Sequence, residues 1–543
     1  MSSSPLLSIF FRRAELLMIG KTSRRDFMRL GAKLGLAAPF LAGVGRSWAE
    51  PKGLKFSPSL PFSYEMLVKR AEALASRPYS PPPAVSEVVR KLDYEAWGQI
   101  RFRTEDALFA EGPSIYPVTF FHLGQFFQKP VKIHVVEDGK ARQIYYSAEY
   151  FDMPGDSPAR QMPERSGFAG FRLQEARTRS DWRTQDWIAY LGASYFRAIG
   201  ALNQYGLSAR GIVIDAAEPT PEEFPDFTEF YIEGAAAETD PVIICALLDG
   251  PSVTGAYRFL TWRKEGVVQE VEAAVFLRRN VKRLGLAPLT SMYWFSESEK
   301  RRLEDWRPEV HDSDGLAIWT GTGERIWRPL INQPYAVTSS FVDHDPKGFG
   351  LLQRDRVFEN YLDGVNYERR PSLWVEPLGG WGEGAVQLVE LPTDDEIHDN
   401  IGVYWRPAAA PKAGSSYRLR YRLHWQADEP YPAAVARCVA TRIGRGGQPG
   451  KPRPRGVYKF AVEFAGAALE PLWGDTVKAA PVVTASSGAI QGAFIEPIPH
   501  TRRWRAIFDL IPDGTAPVEL RLYIQGNGDA LTETWLYQFR PPA

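Results

Sequence analysis

Two short acidic blocks, HDSDG (311–315) and DEIHDN (395–400), interrupt β-rich sequence and place carboxylates where loops are expected. Breaking a glycosidic bond by acid/base chemistry takes two carboxyl groups, one to protonate the departing oxygen and one to activate water or attack carbon. Asp312 and Asp314 in the first block, and Asp395, Glu396 and Asp399 in the second, are the residues that could do it. Between them run KGFGLLQRDR (347–356) and YERRPSLWVEP (367–377), with the arginines and aromatics of a sugar-binding cleft. Arg370 beside a carboxylate would keep it ionised and oriented. Trp319 and Trp381 are candidate stacking platforms for pyranose rings, with core packing as the alternative. Each polar residue also has a plainer reading: Asp312 as a turn cap with Ser313, and Arg370 as the ion-pair partner of Glu368 or Glu376. His311 and His398 flank two of the aspartates and either tune them or stand by.

Other chemistries find less support. The 7 histidines show no HExxH and no pair at ligand spacing, so neither a metal nor another cofactor is expected. The 2 cysteines are far apart and make no disulfide framework, and Cys245 lies in the apolar run PVIICALLD as a buried free thiol would. With 65 basic and 65 acidic residues, the chain has no global field to attract nucleic acid or an anionic membrane, and a neutral partner fits better.

The elements that must position these groups are mostly strands. VTFFHL (118–123), VKIHVVED (131–138), GIVIDA (211–216), FTEFYIE (227–233), PVIICALLD (241–249), VVQEVEAAVFLR (267–278) and AVQLVELP (385–392) are β-branched or aromatic and bounded by turn residues. Helices are few, SYEMLVKRAEALAS (63–76) first and SEVVRKLDYEAWGQI (86–100) second. Many short strands with few helices predict a mainly β chain with a large antiparallel sandwich over 50–406. An Ala/Pro/Gly-rich linker is expected at 407–416. YRLRYRLHW (417–425), VYKFAVEFAG (457–466), WRAIFDLIP (504–512), VELRLYIQ (518–525) and TETWLYQF (532–539) then predict an immunoglobulin-like sandwich over 417–543. TRIGRGGQPGKPRPRG (441–456) reads as an irregular basic loop, either a solvated linker or a flap that brings Arg442, Arg445 or Arg453 to sugar hydroxyls.

The N-terminus carries an address. SRRDFM (23–28), an apolar run from Leu30 to Val44 and Ser47-Trp48-Ala49 make a twin-arginine export signal, expected to be removed after residue 49. Met18 would open a more compact signal than Met1. The apolar run is shorter than the roughly 20 residues of a membrane span. The partner it implies is the twin-arginine export machinery and the compartment is the periplasm, with no stable membrane insertion.

The blocks GFAGFRL (167–173), LGASYFRA (191–198), YGLSARG (205–211), EEFPDF (222–227), DGPSVTGAYRF (249–259), LGLAPLTSMYWF (284–295) and ETWLYQF (533–539) resemble the periplasmic glucan biosynthesis proteins of Gram-negative bacteria, in the branch with a twin-arginine signal. The resemblance implies a large galactose-mutarotase-like β-sandwich followed by an immunoglobulin-like β-sandwich. It implies a part in making osmoregulated glucans with a β-1,2-linked glucose backbone, and for some members inverting endo-β-1,2-glucanase activity. On this resemblance Asp399 is the acid and Asp312 the base, while Glu396, Tyr367 and Arg370 line the cleft or relay the proton, with Asp314 beside them. GTGERIW (321–327) departs from the family pattern by placing Arg325 where a tryptophan is usual, and Ile397-His398 is also unusual. The alternative function is a non-catalytic glucan-binding protein that presents the nascent chain to other enzymes. A polysaccharide lyase would need a Tyr or His base and a charge-neutralising group for a uronic acid, and no such constellation stands out.

Overall fold

The computed structural model describes residues 53–82, 86–164, 166–300, 305–474 and 477–542. The expected signal at 1–49 lies outside the described residues. No helix among them is long and apolar enough to cross a membrane.

The chain is mainly β, as the strand-rich pattern predicts. One large sheet runs, strand beside strand, through Lys140–Tyr145, Lys132–Glu137, Asp226–Glu233, Val242–Asp249, Val253–Arg263, Val267–Leu277, Ser416–Gln426, Ser372–Pro377, Gly348–Leu352, Gly315–Trp319 and Arg325–Pro329. A second sheet of 10 strands includes Glu383–Glu390, Ile401–Pro407, Leu284–Ser291, Tyr195–Ala198 and Asp186–Leu191. The two pack face to face through aromatic rings. Phe171 meets Phe230 at 5.0 Å, Tyr190 meets Phe259 at 5.6 Å, and Phe196 meets Trp425 at 6.0 Å between ring centroids.

The outer face of the first sheet is covered by the helix Tyr64–Ala75, capped at Ser63, which buries Tyr64, Leu67 and Ala71 against Cys245, Leu247 and Ala256. Strands buried on both faces lose strict alternation, which is why PVIICALLD is a continuous apolar run. The second predicted helix is broken into Glu87–Arg90 and Tyr94–Gly98. Cys245 and Cys438 are both free and buried.

The expected linker and the strand after it are placed differently from the sequence reading. Ser416–Gln426 does not open the second sandwich. It pairs along its length with Val267–Leu277 and with Ser372–Pro377 in the large sheet. The segment before it therefore crosses from one sheet of the larger sandwich to the other. Ala/Pro/Gly composition marks a break in pairing but carries no information about which sheet the next strand joins.

A smaller sandwich follows. One sheet holds Arg437–Arg445, Tyr458–Ala465, Arg503–Ile511 and Ala489–Pro497. The other holds Ala479–Ala485, Val518–Gly526 and Thr534–Phe539. Thr534–Phe539 also pairs in parallel with Arg325–Pro329, so the large sheet continues into the smaller sandwich. The basic loop is shorter than expected, because residues up to Arg445 are strand. Arg442 is ion-paired to Glu463 at 2.6 Å, and Arg453 donates to the carbonyls of Arg445, Gly446 and Gly447.

Candidate active site

The strand pair Tyr293–Phe295 and Val310–His311 ends at the first acidic block, and the Asp312 N–H donates to the Met292 carbonyl at 2.9 Å. Gly315 follows because a Cβ there would fall 2.5 Å from the Trp327 ring. Asp312 is buried and ion-paired with Arg370, Nε to Oδ1 at 3.3 Å, and the Arg370 side chain is 3% exposed. Arg370 also donates from Nη1 to the Tyr205 carbonyl at 2.5 Å. Arg370 is thus placed on Asp312. The Ser313 hydroxyl pairs with that of Ser291 at 2.9 Å, and Glu376 is engaged by Arg422 and His424, each at 2.9 Å.

Asp314 does not stand beside Asp312 as a second solvent-facing acid. Its Oδ2 accepts the backbone N–H groups of Arg354 and Asp355, which ties the block to the loop after Gly348–Leu352. His311 is buried between Gln353 Oε1 and Glu309 Oε2, each at 3.0 Å, with Asp314 Oδ1 at 3.6 Å. Gln353 Nε2 donates to the carbonyls of His311 and Tyr367, so its oxygen must accept from His311 Nδ1. Burial opposes charging this imidazole, but the Asp314 and Glu309 carboxylates outweigh it and raise its pKa from 6.5 to about 9. Glu309, His311 and Asp314 bring one ligand atom each within 4.8 Å of one another, a spacing a metal ion could use. Of the two ring nitrogens, Nε2 faces that space and Nδ1 faces Gln353.

The second block hangs from the same strand. Asn400 Oδ1 accepts the Tyr293 N–H at 2.8 Å, and its Nδ2 donates to the carbonyls of Tyr293 and Leu391. Ile401 pairs with Ser291. Asp312 and Asp399 are thus both tied to the segment Ser291–Tyr293, Asp312 through its own N–H and Asp399 through its neighbour Asn400. Asp399 is half-buried and its charge reaches Tyr195. Burial chiefly, then Glu222 and Asp399 acting against Arg210, pushes that phenol up to about 12.

Tyr367 bridges the two sides. Asn366, at φ +59°, sits in the left-handed region that asparagine tolerates and starts the tight turn Tyr367–Arg369. The buried Tyr367 hydroxyl donates to Glu396 Oε2 at 2.5 Å, and the Arg370 guanidinium lies 5.5 Å from the phenol ring. Glu396 Oε2 also accepts from Arg307 Nη1 at 2.7 Å. Arg307, Gln353 and Asn400 were missed in sequence. None belongs to an acidic pair, and the partners that link them to the site include ones 89, 42 and 107 positions away.

Trp319 and Trp381 are not brought to this cluster. Trp319 pairs with Gly348 at the opposite end of the strand that begins after Asp314, four residues or roughly 13 Å beyond Gly315. The Arg325 guanidinium lies 3.8 Å from its ring and Lys347 5.2 Å. Trp381 packs among Phe349, Trp405 and Tyr421 at centroid distances of 6.0 to 6.3 Å. Arg325, the departure from the family pattern, also pairs with Glu429 at 3.3 Å.

The family model described as "Periplasmic glucan biosynthesis protein, MdoG" matches residues 62–539. The chain is 60% identical over 498 residues to glucans biosynthesis protein D 2 of Ralstonia nicotianae, covering 90% of this chain and 92% of the relative. It is 47% identical over 488 residues to glucans biosynthesis protein D of Xanthomonas campestris pv. campestris, covering 89% and 91%. It is 45% identical over 529 residues to the protein of that name in Stenotrophomonas maltophilia, covering 96% and 98%. With the match running from the first helix to the last strand, the chain belongs to the periplasmic glucan biosynthesis protein family.

Proposed function

We propose that this chain is a periplasmic glycoside hydrolase that cuts β-1,2-linked glucan with inversion, trimming the backbone during glucan synthesis. The observation that supports the reading is a connected set that joins the two acidic blocks: Asp312 pairs with Arg370 in the first, and Tyr367 beside Arg370 reaches Glu396 in the block that ends in Asp399 and Asn400. Inversion requires a carboxyl separation of roughly 6.5–9.5 Å that admits a water molecule, which two carboxylates on separate blocks tied to one segment can meet.

In this mechanism the Asp399 carboxyl gives its proton to the glycosidic oxygen as the C1–O bond breaks. A water oxygen bonds to C1 from the opposite face, and its proton passes to the Asp312 carboxylate. Arg370 holds that carboxylate in its charged form. Because Asp312 is only 3% exposed, the proton reaches it along a chain of hydroxyl groups rather than directly from bulk water. Net, one glycoside and one water give two hydroxyl-terminated glucans, and proton exchange with solvent resets both aspartates.

The burial of Asp312 is also what favours the second reading, a protein that holds and presents the glucan without cleaving it. Incubating purified protein with linear β-1,2-glucan, and following product size and anomeric configuration by NMR, separates the two. Cleavage giving the α-anomer first is expected. Bound but uncut glucan would remove the hydrolase reading, and the β-anomer first would replace inversion with retention.

A further inference from the structure

Arg307 meets three carboxylates from three segments of the chain. Its Nε donates to Asp305 Oδ1 at 3.0 Å and its Nη2 to Asp305 Oδ2 at 3.2 Å. Nη1 donates to Asp363 Oδ2 and to Glu396 Oε2, both at 2.7 Å. Its side chain is 8% exposed, and the bonds are charge-assisted. Asp363 belongs to the segment that leads into Tyr367, and Glu396 to the block that ends in Asp399.

The decisive detail is that Arg307 and Tyr367 address the same oxygen. Glu396 Oε2 receives an N–H from Arg307 at 2.7 Å and the O–H of Tyr367 at 2.5 Å. A phenol has one hydrogen to give. With that hydrogen committed to Glu396, the Tyr367 oxygen can only accept from any further partner, such as a water molecule or a sugar hydroxyl. The direction of a proton chain through Tyr367 is therefore set by where Glu396 is held, and Arg307 holds it.

We propose that Arg307 is a positioning residue for the reaction, fixing Glu396 so that Tyr367 accepts, rather than donates, toward the substrate side. This rests on the hydrolase reading above, together with the cleft-lining or proton-relay role that the family resemblance implies for Tyr367 and Glu396. A guanidinium is the group for the task because its planar fork serves several carboxylate oxygens at once, whereas an ammonium is a point charge.

The test is a double-mutant cycle on β-1,2-glucan cleavage with Arg307→Met, Glu396→Gln and the pair, plus Arg307→Lys. Arg307→Met is expected to lower kcat about 100-fold, the scale of a 1 Å misplacement, with KM within about threefold of wild type. If Arg307 acts through Glu396, the pair is no worse than Glu396→Gln, because both changes remove one device. Arg307→Lys should recover part of kcat. Additive losses, or a KM that rises in step with the loss of kcat/KM, would overturn the proposal. Crystal structures of wild type and Arg307→Met give a readout that does not need turnover. The Tyr367–Glu396 bond is expected to lengthen beyond hydrogen-bonding distance in the variant, and an unchanged 2.5 Å contact would overturn the proposal even if wild type cleaves no glucan. Failure of the hydrolase reading is recognised separately, by uncut glucan with wild type.

Discussion

The two acidic blocks use the same residue types in opposite ways. In HDSDG His311 and Asp312 are buried, and Asp314, partly exposed, is tied down through backbone N–H groups. Asp312 faces Arg370, His311 lies between Glu309 and Gln353, and Asp314 accepts two backbone N–H groups. In DEIHDN the chain is half-exposed from Glu396 to Asp399, and only Asn400 is fully buried. The first block is a preformed charge whose surroundings are settled before any ligand arrives. The second is a loop fastened at one end. A base that must stay ionised is served by a fixed cationic partner, whereas an acid that must deliver a proton has to meet the substrate oxygen.

The largest effect that tests this contrast comes from the two aspartates themselves. Asp312→Asn and Asp399→Asn should each reduce glucan cleavage by at least about 100-fold, within the usual range for a general acid or base. Stability should separate them. Removing the Asp312 charge leaves buried Arg370 without its anionic partner and costs about 3–5 kcal/mol, whereas Asp399→Asn in a half-exposed loop should cost less than about 1 kcal/mol. Urea denaturation of both variants checks this. Equal losses would mean that the second block is as rigidly built as the first.

Asn400→Ala should come next. It strips the acceptor and donor for Tyr293 and the donor for Leu391, leaving buried backbone groups without partners at about 1–3 kcal/mol each. If that side chain is what aims Asp399, kcat falls by about 100-fold while glucan affinity is retained. A variant that is destabilised yet fully active would show that the loop finds its position by other contacts.

A smaller effect is the pH dependence of folding. An imidazole raised from 6.5 to about 9 stabilises the fold as imidazolium, a contribution complete below pH 6.5 and lost as pH rises through about 9. Glu297, which accepts the Thr441 N–H at 2.6 Å, is raised from 4.5 to about 8 by burial and then by the Glu309 charge. Being held neutral, it costs stability progressively as pH rises from 4.5 to about 8, because the unfolded chain ionises it freely. Both slopes have the same sign, so Tm should fall between pH 6.5 and 8. His311→Gln and Glu297→Gln should each flatten the curve. An unchanged slope in both would place the titration elsewhere.

Much of this architecture was legible because strands announce themselves by local pattern. Val267–Leu277 and Tyr458–Ala465 fall where their β-branched and aromatic runs predict. Pairing is not local. Ser416–Gln426 has the composition of any exposed-edge strand, and nothing in it says that it fills the gap between Val267–Leu277 and Ser372–Pro377. The same limit governs the site. Asp312 and Asp399 stand in recognisable blocks, but the partner of Arg370 had two nearer candidates in sequence, Glu368 and Glu376, and the structure chose Asp312. Arg307 carries no motif at all. Its meaning arises only when two distant segments, those of Asp363 and Glu396, converge on it.

The smallest expected effect concerns the aromatic platforms, and it bears on where the glucan runs relative to the two blocks. Trp319 has the Arg325 guanidinium at 3.8 Å and stands at the far end of the strand from Asp314. Trp319→Ala should therefore change KM by less than about threefold, its main consequence being lost packing. Trp306 is 67% exposed and adjacent to Arg307, whose side chain holds Glu396. An exposed indole at that position can stack on a sugar ring entering from the DEIHDN side. Trp306→Ala should raise KM by about tenfold with kcat little changed. If the two variants behave in the reverse order, the glucan lies along the strand from Asp314 toward Trp319, and the buried block, rather than the half-exposed one, forms the mouth of the cleft.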